Sequence, residues 1–240
     1  VVWEGCRMWN YTDDATDPSL INGASAVINN CWVMPGSDYN GIRIPSYETG
    51  NDTVYGVEQN GIKMSKVERD LDYHTGILTN NIAMFGETGG GFTIIDMNPY
   101  RGNHVFYNNT SYYFRWCFNS TGTSTLDHPR TEIYRNNIAW GATGTNSVGR
   151  PSYVSLGSTS GEPSTVYPES HNNWDAYAGS IGFALTDTVT VSADDFLYRL
   201  DSITMVEMFL AERNADGSLP PNPLALHPSS DLIDAGIDVG

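Results

Sequence analysis

The chain has 240 residues, enough for one large domain or two small ones, and carries 12 basic against 28 acidic side chains. A net charge of −16 argues against nucleic acids and anionic membranes as partners, because both are bound through basic patches. No apolar run approaches the length of a transmembrane helix, and abundant Gly, Tyr and Asn favour strands and turns. Three cysteines make no disulfide framework, so we expect buried apolar groups with at least one free thiol.

A pair of asparagines followed by a small or apolar residue recurs in "INNCWV", "TNNIAMFG", "YNNTSYYF", "YRNNIAWG" and "SHNNWDAY". The second members of these pairs are Asn30, Asn81, Asn109, Asn137 and Asn173, and the middle three are spaced by 28 residues. Such a period, with short β-rich segments and Gly/Asn turns, predicts an all-β parallel β-helix whose coils share one core. Asparagines at the same turn of each coil would then form a hydrogen-bonded ladder. An antiparallel sandwich with asparagine-rich hairpins is the alternative, and the fixed spacing favours it less.

The first coil is predicted at the opening "VVWEGCRMWN". Cys6 precedes Cys31 by 25 residues, which indicates an earlier copy of the repeat whose asparagine pair has been lost. Because this opening reads like the middle of a strand, we expect part of the domain to lie upstream.

The strongest local signal follows in "NYTDDATD", where Asp13, Asp14 and Asp17 fall within five residues. Clustered carboxylates repel one another and raise one another's pKa unless a cation lies between them. A hard divalent cation such as Ca²⁺, which prefers oxygen ligands, resolves this repulsion. The three aspartates are therefore candidate calcium ligands, and the alternative is a solvated acidic turn or a helix cap.

A polar, Gly-rich stretch from Gly36 to Asn60 is predicted as a loop inserted into a coil. Arg43 lies within it, and Tyr39, Tyr47 and Tyr55 are nearby. Arginine suits bidentate recognition of a carboxylate and tyrosine stacks on sugar faces, so Arg43 is a candidate substrate-binding residue. The alternative is an ordinary polar loop.

Lys63, in "QNGIKMS", lies 18 residues before Asn81, and Asp13 lies 17 residues before Asn30. If the asparagine pairs mark equivalent turns, Lys63 and Asp13 lie on the same face of successive coils, whose strands are about 4.8 Å apart. At the same register of the next coil stands "GETGGGF", whose glycines would leave an open cleft. The alternative for Lys63 is a surface salt bridge, and Lys66 is the natural control.

The last part of the chain breaks the repeat. "ADDFLYRLDSITMVEMFLAER" is longer than a coil strand, and the turn cluster "NADGSLPPNP" follows it. We therefore predict coils over residues 1–193 and, within the same domain, a C-terminal capping segment over residues 194–240, because a solenoid needs a cap on its open end.

A cation, an amine and a cleft on a β-helix together indicate one chemistry. A uronic acid has a weakly acidic C5 proton beside its carboxylate, and calcium on that carboxylate would stabilise the developing negative charge. A neutral lysine could remove the proton, so the C4 glycosidic bond would break by β-elimination. A nearby dication and partial burial lower the pKa of a lysine, so such a reaction should favour alkaline pH.

"GCRMWNYTDDATD", "NCWVM" and "NGIKMS" together resemble polysaccharide lyase family 9, the calcium-dependent pectate lyases and their relatives. The resemblance implies a right-handed parallel β-helix, with Asp13, Asp14 and Asp17 on calcium and Lys63 as the base. It departs from the family pattern at Ala15, which replaces a glycine, and at "MSK" after the lysine. The family's fourth calcium aspartate would lie one coil upstream, so we expect this chain alone to bind calcium weakly, cleave poorly and associate through its N-terminal end.

The resemblance further implies a bacterial protein that is secreted, periplasmic or at the cell surface, monomeric at full length, with an acidic polysaccharide as its partner. Two other readings stay open. A hydrolase of the same polymer, resembling glycoside hydrolase family 28, would use Asp13 and Asp14 as acid and base, although that family's other motifs are missing. A non-catalytic, glycan-binding β-helix would depolymerise nothing.

Overall fold

The structure is a computed structural model that describes residues 1–9, 11, 14–16, 25–35, 60–65, 73–95, 101–122, 130–141, 154–158, 165–166, 169–170, 172–174, 191–200 and 202–239. Within these residues, no helix has the length and apolar character needed to cross a membrane.

The described residues form strands almost throughout, followed by one short helix. In chain order the strands are β1 (Val2–Glu4), β2 (Arg7–Trp9), β3 (Asp14–Thr16), β4 (Ser25–Asn29), β5 (Trp32–Met34), β6 (Asn60–Ser65), β7 (Tyr73–Thr79), β8 (Ile82–Ile95), β9 (Arg101–Tyr107), β10 (Thr110–Gly122), β11 (Arg130–Arg135), β12 (Ile138–Trp140), β13 (Val154–Ser158), β14 (Thr165–Val166), β15 (Glu169–Ser170) and β16 (Asn173–Trp174). The helix α1 is Ser202–Leu210.

The strands form two sheets in which every pairing between named strands is parallel. One sheet has the order β1-β4-β7-β9-β11-β14, and β15 also pairs with β11. The other runs β16-β12-β10-β8-β5-β2, with β13 beside β10 and with β6 between β3 and β8. Each strand therefore pairs with its equivalent in the next coil, which confirms the predicted all-β parallel β-helix.

The registers reproduce the spacings in the sequence. Glu4 pairs with Asn29, 25 residues later. Thr79 pairs with Tyr107 and Tyr107 with Arg135, each 28 residues later. One coil of the helix is thus one copy of the sequence repeat.

The core lies inside the coils, where equivalent apolar residues stack in columns. Ile28, Leu78, Phe106 and Tyr134 are in register on four neighbouring strands, and all four are buried. The rings of Phe106 and Tyr134 stack with centroids 4.6 Å apart. Each coil thus covers the apolar surface of the one before it, which is what holds the stack together.

A ladder of buried asparagines runs through the turns, as predicted for Asn81, Asn109 and Asn137. The Oδ1 atom of Asn109 accepts hydrogen bonds from the backbone N–H and the Nδ2 of Asn81, and Asn137 does the same for Asn109. Each Nδ2 also donates to a backbone carbonyl, for example Asn109 to Leu78 at 2.9 Å. The side-chain amides therefore satisfy turn groups that would otherwise be buried without partners.

At its two ends the ladder differs from the prediction by one residue. Asn30 is exposed and has a φ of 49°, and the next residue, Cys31, occupies the rung position. At the other end Asn172 forms the last rung, since its Oδ1 accepts from both the backbone and the side chain of Asn137. The outermost asparagine pairs are shifted by one position, so counting second members misplaced Asn30 and Asn173.

A second row of asparagines, on the surface, was not predicted. Asn80, Asn108 and Asn136 precede the buried rungs and have left-handed φ angles of 57°, 57° and 55°. Each Nδ2 in this row donates to an asparagine Oδ1 of the preceding coil, from Asn136 down to Asn29. Both members of each pair thus join coils, because asparagine tolerates the left-handed turn and its amide bridges neighbouring coils.

Replacing Asn109 by alanine should lower the free energy of unfolding by about 1–3 kcal/mol, because neighbouring buried turn groups lose their partners. Denaturant unfolding would measure the change. The matched control is Asn30→Gly, which retains the left-handed turn at an exposed position and should be nearly neutral. Equal stabilities of wild type and Asn109→Ala would refute the ladder's structural role.

The C-terminal segment, predicted as an end cap, packs along the side of the coil stack in its described part. Phe209 of α1 packs against the rings of Trp9 and Trp32, with centroids 6.5 and 6.1 Å apart. The larger apolar cluster combines outward-facing strand residues with residues of this segment: Trp32, Met34, Ile82, Met84, Phe85, Tyr112, Val191, Phe196, Met205, Val206, Phe209, Leu219, Leu224 and Leu232. The segment therefore covers the outer face of the sheet containing β5, β8 and β10.

Polar contacts fasten this segment to both early and late coils. The Arg7 guanidinium donates to the carbonyls of Phe209 and Ala211, where α1 ends, and Arg213 donates to the carbonyl of Gly5. A positive charge at a helix C-terminus is stabilising because the last carbonyls there have no helical partners. Farther along the stack, Asn136 exchanges two hydrogen bonds with the backbone of Ile237.

Candidate functional site

Lys63 lies in the middle of β6, between two residues of the core. Ile62 and Met64 are buried, whereas Lys63 is only partly buried. Because side chains alternate along a strand, Lys63 projects away from the core. Strand β6 therefore presents an amine on the outer face of a coil.

The strand that contains Asp14 is a direct neighbour of this strand. Ile62 of β6 pairs with Thr16 of β3 on one side and with Phe92 of β8 on the other. The prediction that the two segments lie on adjacent strands of successive coils is confirmed. At strand spacing, groups on β3 are within reach of a molecule that also contacts Lys63.

The register between these strands differs from the predicted one. The asparagine count sets Asp13 opposite Lys63, an offset of 50 residues, whereas Thr16 pairs with Ile62, an offset of 46. In the next strands Ser25 pairs with Thr75, which restores the offset of 50. The connection from β6 to β7 is therefore four residues longer than that from β3 to β4, and such a difference inside a turn is invisible to a count between turns.

The remaining candidates fall on parts of the chain that the structure does not describe. Asp13, Asp17, Arg43 and the side chain of Asp14 lie outside the described residues, so their predicted roles stay predictions. Where side chains are described, no cluster of three or more His, Cys, Asp or Glu residues could hold a metal ion. That search does not extend to the acidic triplet.

The glycines expected to open a cleft are closely packed instead. Gly61, Gly90 and Gly91 are buried. A Cβ atom on Gly61 would lie 2.3 Å from the carbonyl oxygen of Gly91, and one on Gly91 would lie 2.1 Å from the Ser111 hydroxyl. Because these contacts leave no room for a side chain, the glycines permit close approach of neighbouring coils. The expectation of an open cleft at these glycines was wrong.

A buried amide that the sequence reasoning missed supports the strand of Lys63. The Oδ1 atom of Asn60 accepts hydrogen bonds from the backbone N–H of Gly90 at 2.9 Å and from the Thr93 hydroxyl at 3.2 Å. Thr93 is also the residue in register with Lys63 on β8, and Asn119 of β10 is in register with Thr93. Asn60 therefore fixes the backbone beside the amine, and the "NGIK" context was its signal in the sequence.

A second polar group lies inside the coils and has no route to a substrate. Glu132 is fully buried, and its carboxylate accepts hydrogen bonds from Ser120 at 2.8 Å and Tyr134 at 3.0 Å. His104, also fully buried, is in register with Glu132 on the neighbouring strand. These groups sit within the column of core side chains, so we assign them a structural part.

One cavity of about 470 Å³ lies between the coils and the C-terminal segment. Its walls include Asn108, Asn136, Ile138, Leu224 and Asp234. The cavity borders the turn asparagines and β12, not the strands β3 and β6 that carry Asp14 and Lys63. It offers a single carboxylate with no basic partner in its lining, so it provides no acid–base pair for the proposed chemistry.

Comparison with solved structures finds the crystal structure of pectate lyase Pel9A, with a TM-score of 0.59 and 22% sequence identity. The match covers 99% of this chain and 46% of that one, so the chain spans about half the length of the structure it matches. No family model matches the chain, and no curated protein matches it. At this identity the likeness concerns the fold: the chain is similar to pectate lyase Pel9A in being a parallel β-helix.

Proposed function

We propose that this chain is part of a calcium-dependent polysaccharide lyase that cleaves a uronate polymer, most favourably pectate, by β-elimination. The observation that carries the proposal is the pairing of β3 with β6, which brings the strand of Asp14 beside the strand of Lys63. The parallel β-helix it shares with pectate lyase Pel9A adds support.

In this proposal Asp13, Asp14 and Asp17 hold calcium, and Arg43 binds a substrate carboxylate. The donor set fits, because Ca²⁺ takes oxygen ligands in flexible numbers and three carboxylates fall within five residues. When bound, the ion would neutralise the substrate carboxylate and withdraw charge from the reacting carbon. It would also let an acidic protein bind an acidic polymer, since a cation lies between the two.

Lys63 acts as the general base. Its neutral amine takes the C5 proton of the uronate, the electron pair of that C–H bond forms the C4–C5 double bond, and the C4–O bond breaks. The leaving oxygen takes a proton from solvent, and Lys63 returns its proton to solvent. Partial burial on β6 suits this part, because reduced contact with water favours the neutral amine.

A panel of polysaccharides tests the substrate class. Polygalacturonate, rhamnogalacturonan, a uronate-containing glycosaminoglycan and a neutral glucan would each be incubated with the protein, with calcium or with a chelator. Ultraviolet absorbance reports the unsaturated product, and a reducing-end assay reports every cleavage.

We expect an unsaturated product from polygalacturonate, dependent on calcium, and nothing from the neutral glucan, which has no carboxylate beside C5. Reducing ends without an unsaturated product would show hydrolysis instead. If no polymer is shortened, even at saturating calcium, the proposal of a lyase is contradicted and a glycan-binding β-helix remains.

A further inference from the structure

Cys6 and Cys31 occupy equivalent positions in two neighbouring coils. The strands before them pair at Glu4 and Asn29, and the strands after them pair at Arg7 and Trp32. Backbone hydrogen bonds close the gap on both sides, from Gly5 N–H to the Asn29 carbonyl at 3.1 Å and from Trp32 N–H to the Cys6 carbonyl at 2.8 Å. The two cysteines are therefore level neighbours on adjacent coils.

The two thiols also point in the same direction and touch. Cys6 Sγ donates to the carbonyl of Glu4 at 3.5 Å, and Cys31 Sγ donates to the equivalent carbonyl of Asn29 at 3.3 Å. The Cys31 sulfur is in hydrogen-bond contact with both the backbone and the thiol of Cys6. Level neighbours on paired strands have Cα atoms about 4.8 Å apart, inside the range of about 4.4–6.8 Å that disulfides span.

We propose that Cys6 and Cys31 form a disulfide when the protein meets an organic disulfide as oxidant, so that a covalent bond joins the two coils. The pair lies at the foot of the asparagine ladder, where Asn81 Oδ1 accepts from the Cys31 backbone and no asparagine continues downward. The disulfide takes the place of the missing amide rung.

The exchange balances with two equivalents of small thiol as product. Cys6 is partly exposed, so its thiolate attacks the small disulfide, forms a mixed disulfide and releases one thiolate. The Cys31 sulfur then attacks Cys6 and releases the second thiolate, and the two protein protons end on the two small thiols. Burial, ahead of its contacts with Cys6, raises the pKa of Cys31 to about 11, so the second step should accelerate as the pH rises.

The third cysteine supplies an internal comparison. Cys117 is fully buried among core residues, its pKa is raised to about 12 by burial, and its thiol contacts Ser111 and Trp140 carbonyls. In the folded protein it should stay reduced while Cys6 and Cys31 pair. The loop that the disulfide closes contains Asp13, Asp14 and Asp17, yet the bond itself forms or fails independently of any calcium there.

The test is oxidation of the reduced, folded protein with oxidised glutathione at mildly alkaline pH, followed by alkylation and tryptic mapping without reductant. Trypsin releases Cys6 in residues 1–7, Cys31 in residues 8–43 and Cys117 in residues 116–130. We expect the first two peptides joined, lighter by two hydrogens than their sum, with Cys117 alkylated. The same oxidation in denaturant is the control, and there the preference for this pair should be lost.

Variants complete the test. Cys117→Ser should keep the cross-link, and Cys31→Ser should stop at the mixed disulfide of Cys6 with glutathione. The proposal is overturned if the wild-type folded protein also stops at that mixed disulfide with Cys31 alkylated, or if Cys117 enters a disulfide as readily as Cys6 and Cys31 do.

Discussion

Replacing Lys63 by alanine is expected to lower the rate of elimination by about 10²–10⁴-fold or more, because the general base of the reaction is lost. The fold should be unaffected, since the side chain leaves the core between Ile62 and Met64 and fills none of it. Calcium binding should also be unchanged, because an ammonium group is not an oxygen ligand. Initial rates on polygalacturonate at saturating calcium measure the first expectation, and calorimetric titration with calcium measures the last.

Lys66→Ala is the matched control, because it removes the same charge three residues away and should leave the rate nearly unchanged. Lys63→Arg is a second, sharper variant, since it retains a positive charge but cannot supply a neutral amine near neutral pH. It should be as slow as Lys63→Ala. A Lys63→Ala variant that retains half or more of the wild-type rate would show that the base is another group.

The second large effect concerns the acidic triplet. Changing Asp13, Asp14 and Asp17 together to asparagine should weaken calcium binding by about 10²-fold or more, because the charge of the ligands sets the affinity of a calcium site. Elimination should fall with it, and added calcium should restore only part of the rate. Calorimetric titration and a calcium series of initial rates would measure the two changes.

Asp231→Asn is the control for this variant, because Asp231 is an exposed carboxylate of the C-terminal segment. It changes the net charge without touching β3, and should leave calcium affinity nearly unchanged. Unaltered calcium affinity in the triple variant would assign the triplet to a solvated acidic turn.

The stacking of the coils could be predicted because it depends on residues repeated at a fixed spacing. Asn81, Asn109 and Asn137 lie 28 residues apart and form consecutive rungs. The spacing of 25 residues between Cys6 and Cys31 likewise matches the pairing of their flanking strands. A coil is a unit whose length is conserved by the geometry of the stack, so its period is visible in the sequence.

Features that depend on turn length or on packing between distant segments could not be predicted in this way. The offset between β3 and β6 departs from the repeat because one connecting turn is longer. The position of α1 along the side of the stack depends on Arg7, Trp9 and Trp32, which meet it across two hundred residues. Such contacts have no periodic signal, since each is made only once.

The glycines before β8's second half show a different limit. A run of glycines is compatible with an open cleft and with close packing of backbones, and only the neighbours decide between them. At Gly61 and Gly91 the neighbours are a carbonyl oxygen and a hydroxyl within contact distance. The sequence alone could not choose, because those neighbours come from the adjacent coils.

The central claim is that the chain breaks a uronate polymer by elimination with Lys63 as the base, and the structure of the product tests it most directly. Polygalacturonate digested by the wild-type protein with excess calcium would be analysed by mass spectrometry, and Lys63→Ala would be treated identically. The account predicts fragments that end in a C4–C5 unsaturated uronate, lighter by one water than hydrolysis products, and almost none from the variant. Saturated fragments from the wild type, or equal amounts of unsaturated fragments from both proteins, would contradict it.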